Sequence, residues 1–364
     1  MSHYLMIFIT AVALVLIFTP LAIKLAPKIG AIDIPKDNRR MHTRAMPRFG
    51  GMAIYIGTVG SMLIFLPYSN SLMGLIAGGT LMLIVGVIDD IKGMPAKVKL
   101  GFQVLCAIIL FLFSTRISFI TNPFGEGYYF LPWIVSLIVT VIWVVGITNT
   151  INLIDGLDGL AAGVTFIASI SIAYIAYIDS RIEICMAMLA IAGSSLGFLP
   201  YNFNPARIFM GDGGSLFLGF MIAGLSVIGP LKSATIVATI VPVLVLGLPI
   251  FDTAFAILRR LANKRPIMEA DKGHLHHRIM AVGFGQKRTV LMLYGISGVM
   301  GVAAILMSRD LFIESFFLVI IAATFIYVFL TDQSSKALNL KAVNAESIEK
   351  AEKKQKKKQM RREV

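Results

Sequence analysis

Five aspartates carry the most visible chemistry in this chain of 364 residues: Asp89, Asp90, Asp155, Asp158 and Asp212, each in a short polar break between long apolar runs. Asp89 and Asp90 are adjacent in Val87-Ile88-Asp89-Asp90-Ile91-Lys92. Helix neighbours point about 100° apart, so the pair need not chelate one ion together and can divide between metal and a proton or phosphate. Asn152-Leu153-Ile154-Asp155-Gly156-Leu157-Asp158-Gly159 holds two Asp-Gly turns, where glycine lets the backbone bend sharply and a ligand come close. Met210-Gly211-Asp212-Gly213-Gly214-Ser215 has a similar form. Asp158 and Asp212 are each placed to cap the helix that follows, and capping alone accounts for either residue singly. Two such motifs together with Asp89-Asp90 ask for more. The bare glycines after Asp212 expose amide N–H groups at a helix start, which favours a bound phosphate. Carboxylates beside such amides suggest a Mg²⁺ site, because that ion prefers one or two carboxylates and phosphate oxygens. The chemistry expected is phosphoryl transfer, where positioning and charge neutralisation supply most of the rate.

Basic groups accompany the acids. Lys97 and Lys99 follow the Asp pair, Arg44 and Arg48 lie upstream, and Gly273-His274-Leu275-His276-His277-Arg278 lies downstream. A histidine cluster suggests zinc, but no Cys accompanies it and Lys272 and Arg278 would repel a cation, so contacts to a diphosphate or sugar are expected. For Lys97 and Arg48, membrane topology by itself is a sufficient reason. Asp252, in Pro249-Ile250-Phe251-Asp252, suits either a substrate contact or a bond to a backbone group freed by the kinks expected at Pro242 and Pro249.

The elements that position these groups are membrane helices. The chain is 57% hydrophobic and 15% charged, with a mean hydropathy of +0.82, too apolar for a soluble domain. Eleven apolar stretches are long enough to cross a bilayer: 4–27, 50–66, 71–88, 100–115, 132–151, 160–178, 182–200, 213–229, 233–258, 289–307 and 311–330. With the N-terminus outside, the loops at 28–49, 89–99, 201–212 and 259–288 hold eighteen of the 33 Lys and Arg, and the tail after 330 ten more. The opposite set of loops holds only Arg116, Arg181, Lys232 and Arg309. Positive loops stay in the cytoplasm, so the expectation is an all-α polytopic protein, N-terminus outside and C-terminus inside, with every aspartate of the five on the cytoplasmic face. An aspartate at the centre of a membrane helix costs about 2.5 to 3.5 kcal/mol, which helix ends, water or a ligand must offset. The first span has its basic residues after it and reads as a retained anchor. Cys106 and Cys185 fall within spans and read as packing residues. Residues 1–331 form one transmembrane domain. Residues 332–364 form a basic tail, expected to be disordered, for which an attraction to anionic lipid is the alternative to plain solvation.

These segments resemble the polyprenyl-phosphate N-acetylhexosamine-1-phosphate transferases, the WecA/TagO-type enzymes with the translocase MraY as a sibling. The likeness rests on Pro47-Arg48-Phe49-Gly50-Gly51, Gly86-Val87-Ile88-Asp89-Asp90, Lys97-Val98-Lys99 with Gln103, Asn152 through Ala161, Tyr201-Asn202 through Asp212, and Gly273 through Arg278. Any one motif is weak, but the ordered set is specific. The resemblance implies transfer of a sugar 1-phosphate from a UDP-sugar to a polyprenyl phosphate, with release of UMP. Carried over by motif, Asp89, Asp90 and Lys99 are catalytic, and Asp212 is a Mg²⁺ ligand aided by Asp90 or Asn152. Arg44, Asn152, Asp155, Asp158, Asn202, His274, His276, His277 and Arg278 bind substrate. Mn²⁺ is an expected substitute for Mg²⁺. At Arg44 the sibling tends to carry Lys, and the two are not equivalent phosphate binders.

The His-x-His-His spacing and a cytoplasmic C-terminus after eleven spans favour the WecA/TagO branch. UDP-N-acetylglucosamine is then the expected donor and undecaprenyl phosphate the acceptor, in a bacterial cytoplasmic membrane, at the first membrane step of teichoic acid, O-antigen or similar synthesis. The partners are those substrates and lipid, with no nucleic acid; a homodimer is compatible. Asp89 either orients or deprotonates the acceptor phosphate in one step, or an aspartyl-phosphate forms in two. An MraY-type transferase is the alternative. CDP-alcohol phosphotransferases place Ala-Arg after Asp-Gly, whereas Ala161-Ala162 stands here. A transporter would hold its charges near the midplane of broken helices, not at one interface.

Overall fold

The computed structural model describes residues 2–34, 45–121, 127–227, 243–262, 275–281 and 283–328. Helix follows helix: α1 (Ser2–Ile29), α2 (Gly50–Phe65), α3 (Asn70–Lys92), α4 (Ala96–Leu112), α5 (Trp133–Ile154), α6 (Leu160–Ile178), α7 (Ile182–Asn202), α8 (Gly211–Val227), α9 (Gly247–Ala262), α10 (Leu275–Ala281), α11 (Gln286–Met307) and α12 (Phe312–Val328). Six of these, α1, α3, α5, α6, α7 and α11, are long and apolar enough to cross a membrane, and α2, α8 and α12 are shorter apolar helices. The protein is a helical, polytopic membrane protein. Short antiparallel ladders, not expected from the sequence, pair β1 (Ile32–Asp33) with β2 (Met46–Pro47) and β3 (Phe119–Thr121) with β4 (Tyr128–Phe130). Helix α10 was also unexpected; at seven residues it is too short to announce itself by periodicity.

Local signals explain most boundaries. The Ser69 hydroxyl accepts from the Leu72 N–H, 3.2 Å, to start α3. Gly93 ends it in the left-handed region at φ +73, donating its N–H to the Asp89 carbonyl. Helix α3 therefore runs beyond residue 88, and Asp89 and Asp90 occupy its last turn.

Helix α8 is the axis of the bundle. It is apolar on every side and buried nearly throughout, as a helix with no polar face must be. Helices α2, α3 and α5 pack on it, and α6, α7 and α1 extend the core. Phe217 and Phe220 of α8 lie over Gly79 and Gly78 of α3, and Gly219 lets α5 approach at Thr148. Alternation of direction brings the ends of α3, α5 and α7 and the starts of α2, α4, α6 and α8 to one end of the bundle. Large apolar residues point outward on α1 and α12, as lipid-facing side chains do.

Candidate active site

The site is built on the start of α8. An α-helix begins with backbone N–H groups that no intrahelical carbonyl can satisfy. Here the Asp212 and Gly213 N–H groups donate to Oδ1 and Oδ2 of Asp90, at 3.0 and 3.1 Å. The cap of α8 is thus a carboxylate from the end of α3, with its side chain only 1% exposed. Asp212 itself, the local candidate for that cap, is released for other contacts. Arg48 Nη2 lies 3.1 Å from Asp90 Oδ1 and 3.4 Å from Asp212 Oδ1 and ties the two acids together.

Glycine makes this approach possible. A Cβ on Gly86 would lie 2.5 Å from the Asp212 carbonyl carbon, and one on Gly51 would lie 2.6 Å from the Gly214 Cα. Gly211 adopts φ +70 against the Asp90 carboxylate, a conformation that favours glycine. The start of α2 is satisfied in turn by the loop before α8, since the Gly50 and Gly51 N–H groups donate to the Phe209 and Met210 carbonyls at 3.0 and 2.9 Å. Three of the sequence motifs are therefore one backbone-packed unit.

Asp89 faces the other way from Asp90, as the 100° step between helix neighbours requires. Its Oδ1 accepts the Met94 N–H at 2.6 Å, and its Oδ2 contacts the Lys99 ammonium. Asp212 Oδ2 contacts the same Nζ. A cation supplied by α4 thus stands between carboxylates from α3 and α8, all three side chains between 11% and 19% exposed.

Helix α5 brings the amides. Asn152 Nδ2 donates to Ser215 Oγ, 2.8 Å, which leaves Oδ1 as the atom it can offer to a ligand. Asp155 ends α5 as its C-cap. Burial, and then the neighbouring charge of Asp212, push the Asp155 carboxyl well above the usual carboxylate range.

Asp158 does not cap α6, because Gly159 stands at that position in the left-handed region at φ +80. Its Oδ2 instead accepts from Asn204 Nδ2 and the Ala206 N–H, at 3.0 and 3.1 Å, and so latches the loop that leads to α8. Asn202 is 2% exposed, accepting from the Gly159 N–H and donating to the Ile208 carbonyl. With both ends of its amide engaged on backbone, Asn202 holds the two loops together and does not face an open phosphate site.

The histidine motif docks from the flank. Asp252 Oδ1 accepts the Leu275 N–H at 2.8 Å, a backbone group at the start of α10 and not one freed by a kink at Pro242 or Pro249. His276, 3% exposed, packs on Gly156, where a Cβ would lie 2.8 Å from its Nε2. Ile154, Leu160, Val164, Leu248 and Leu293 line an apolar hollow beside it. Arg278 is on the same helix. Arg44 and His274 lie outside the described residues, as does the side chain of His277. Tyr294 donates to the Gly159 carbonyl. Sequence reading missed Tyr294, which carries no local pattern, and gave no role to Asn204 and Ser215, although both lie within the motifs.

Among the described residues no three His, Cys, Asp or Glu side chains gather as a metal cluster. The donor set still fits a hard divalent cation: Asp89 and Asp212 already share one cation, the Lys99 ammonium, and both offer carboxylate oxygen. Asp90 fits less well as a ligand, because both its oxygens accept backbone N–H groups and Oδ1 also meets Arg48.

Comparison with known proteins supplies the family. Residues 72–230, which include Asp89 through Asp212, match the model of glycosyl transferase family 4. The chain is 43% identical over 322 residues to a probable undecaprenyl-phosphate N-acetylglucosaminyl 1-phosphate transferase of Bacillus subtilis, covering 88% of this chain and 89% of that one. It is 32% identical to a decaprenyl-phosphate N-acetylglucosaminephosphotransferase of Mycolicibacterium smegmatis, over 77% and 76% of the two chains. A phospho-N-acetylmuramoyl-pentapeptide-transferase of Moorella thermoacetica is 31% identical, over 75% and 88%. The chain belongs to glycosyl transferase family 4, among the polyprenyl-phosphate N-acetylhexosamine-1-phosphate transferases of WecA/TagO type.

Proposed function

We propose that this protein transfers N-acetylglucosamine 1-phosphate from UDP-N-acetylglucosamine to undecaprenyl phosphate, releasing UMP, as the first membrane step of a bacterial cell-envelope polysaccharide. The carrying observation is the convergence of Asp89 and Asp212, from different helices, on one cation at one end of the bundle. The names of the Bacillus subtilis and Mycolicibacterium smegmatis relatives support the donor and the lipid class. The distribution of Lys and Arg supports eleven spans with the N-terminus outside and the site toward the cytoplasm, where a nucleotide sugar and a bilayer lipid meet.

In this reading an oxygen of the acceptor phosphate forms a bond to the β-phosphorus of the UDP-sugar. The bond from that phosphorus to the oxygen bridging it to the α-phosphorus breaks, and UMP leaves. Asp89 orients the acceptor phosphate or takes its proton. Lys99 and Arg48 face the phosphates as counter-charges, and Asp90 sets the position of Asp212 through the backbone of α8. Asp89, Asp212 and Asn152 Oδ1 are the groups that would hold Mg²⁺, which supplies neutralisation of diphosphate charge when bound. In this reading His276 and Arg278 contact the sugar.

The test uses the purified full chain with undecaprenyl phosphate, Mg²⁺ and a panel of UDP-sugars. UMP release that depends on lipid and on UDP-N-acetylglucosamine is expected, falling by about 10³-fold in Asp89→Asn and Asp212→Asn. Undiminished release in either variant removes its assigned role. Transfer from UDP-N-acetylmuramoyl-pentapeptide alone would instead assign the protein to the MraY branch, and no lipid-dependent UMP release at all would favour a transporter.

A further inference from the structure

Beneath the acidic cluster, inside the helical bundle, lies a pair of amides that the proposed chemistry does not use. Gln103 of α4 and Asn149 of α5 bond reciprocally: Gln103 Nε2 donates to Asn149 Oδ1 at 3.1 Å, and Asn149 Nδ2 donates to Gln103 Oε1 at 2.6 Å. Asn149 Nδ2 is also anchored to the Val145 carbonyl at 2.8 Å, and Gln103 is 1% exposed. In lipid, apolar faces have no hydrophobic drive to choose one register of two helices, so close packing and interhelical hydrogen bonds choose it. A buried amide that lost its partner would be left unsatisfied, and a slide or rotation of α4 on α5 is opposed for that reason.

The placement of the pair gives this register a consequence. Gln103 is four residues after Lys99, so both lie on one face of α4, one turn apart. Asn149 is three residues before Asn152, on one face of α5, and Asn152 reaches Ser215, whose Oγ donates to the Gly211 carbonyl beside Asp212. We propose that the Gln103–Asn149 pair is the positioning element of the transferase site: it fixes α4 on α5 so that Lys99 meets Asp89 and Asp212. Helix α5 acts as the spacer, bonded to α4 through Asn149 and to α8 through Asn152.

This inference rests on the proposed function for its kinetic consequence but not for its geometric one, and the test separates the two. In the full-length protein, zero-length carbodiimide coupling followed by peptide mapping reads the contact of Lys99 with Asp89 or Asp212 without any substrate. Gln103→Met keeps side-chain length and removes the amide. The expected result is at least a severalfold loss of that cross-link, a fall in kcat for UMP release of about ten- to a hundredfold, and a KM for the UDP-sugar within about twofold of the parent. The exchange Gln103→Asn with Asn149→Gln restores an amide pair and should recover both cross-link and kcat, which a general packing defect would not predict. Wild-type cross-linking and kcat in Gln103→Met would overturn the proposal. So would failure of that variant to fold, which makes the pair a general fold requirement, or equal loss in the exchanged variant. If the parent releases no UMP from any UDP-sugar, the proposed function fails while the cross-linking comparison still decides the positioning.

Discussion

Two regions of the site end are built by different means. Around Asp212, backbones touch: Gly51, Gly86, Gly213 and Gly214 bring α2, α3 and α8 together, and the Asp90 carboxylate closes the start of α8. Around His276, side chains make the defining contacts: Asp252 caps α10, His276 leans on Gly156, and Tyr294 reaches the Gly159 carbonyl. The difference follows from the tolerance each task allows. Two carboxylates that share one cation must be held to within about half an ångström, and touching backbones supply that more reliably than long side chains. A flank whose buried His276 ring only packs on Gly156 tolerates more, and one carboxylate cap suffices to dock it.

Substitutions can break this contrast. The largest effect is expected from Gly86→Val, whose Cβ would overlap the backbone of Asp212 and Gly213. Overpacking that neither backbone can relieve should prevent assembly of α3 on α8, read as loss of monodisperse protein in size-exclusion chromatography. Next comes Asp90→Ala, which strands two helix-start N–H groups and leaves Arg48 with one carboxylate fewer. A loss of about 3 to 5 kcal/mol in stability is expected, with UMP release reduced at least about tenfold in the fraction that stays folded.

The flank should respond less. Asp252→Ala removes the cap of α10 at a cost of about 0.5 to 2 kcal/mol. Its kinetic signature should be a raised KM for the UDP-sugar with kcat retained; loss of kcat equal to that of Asp90→Ala would erase the distinction between the two regions. The smallest effect is expected from Tyr294→Phe, which removes one hydrogen bond to the Gly159 carbonyl, worth about 1 kcal/mol in thermal unfolding.

The helical elements were legible because lipid imposes a length and a polarity on them. The described helices overlap all of the expected apolar stretches, although only six meet the length and hydropathy of a full span. The stretch at 233–258 is described from residue 243 onward, helical at 243–245 and again from Gly247 after a turn at 246. The gathering of Asp89, Asp212 and Lys99 was legible too, from sidedness and motif order, whereas Arg48, for which topology alone was sufficient reason, joins them only in the structure. The division of labour within it was not. Asp90 looks like its neighbour Asp89 in sequence, and Asp158 looks like a cap for α6. The first closes a helix 122 residues away, and the second holds a loop 48 residues away, through its bond to Ala206.

Composition, hydropathy and charge distribution, which are sums over residues and need no partner, determined a helical membrane protein with acids at helix ends. The ordered motifs added a family and a reaction class. Which carboxylate stays available for chemistry and which is consumed as a cap depends on where α3 meets α8, and that meeting is set by glycines on three helices whose sequence separation conceals their contact. A hydrogen-bonding group has one donor or acceptor capacity to spend, and only the tertiary structure decides whether the backbone or the substrate receives it.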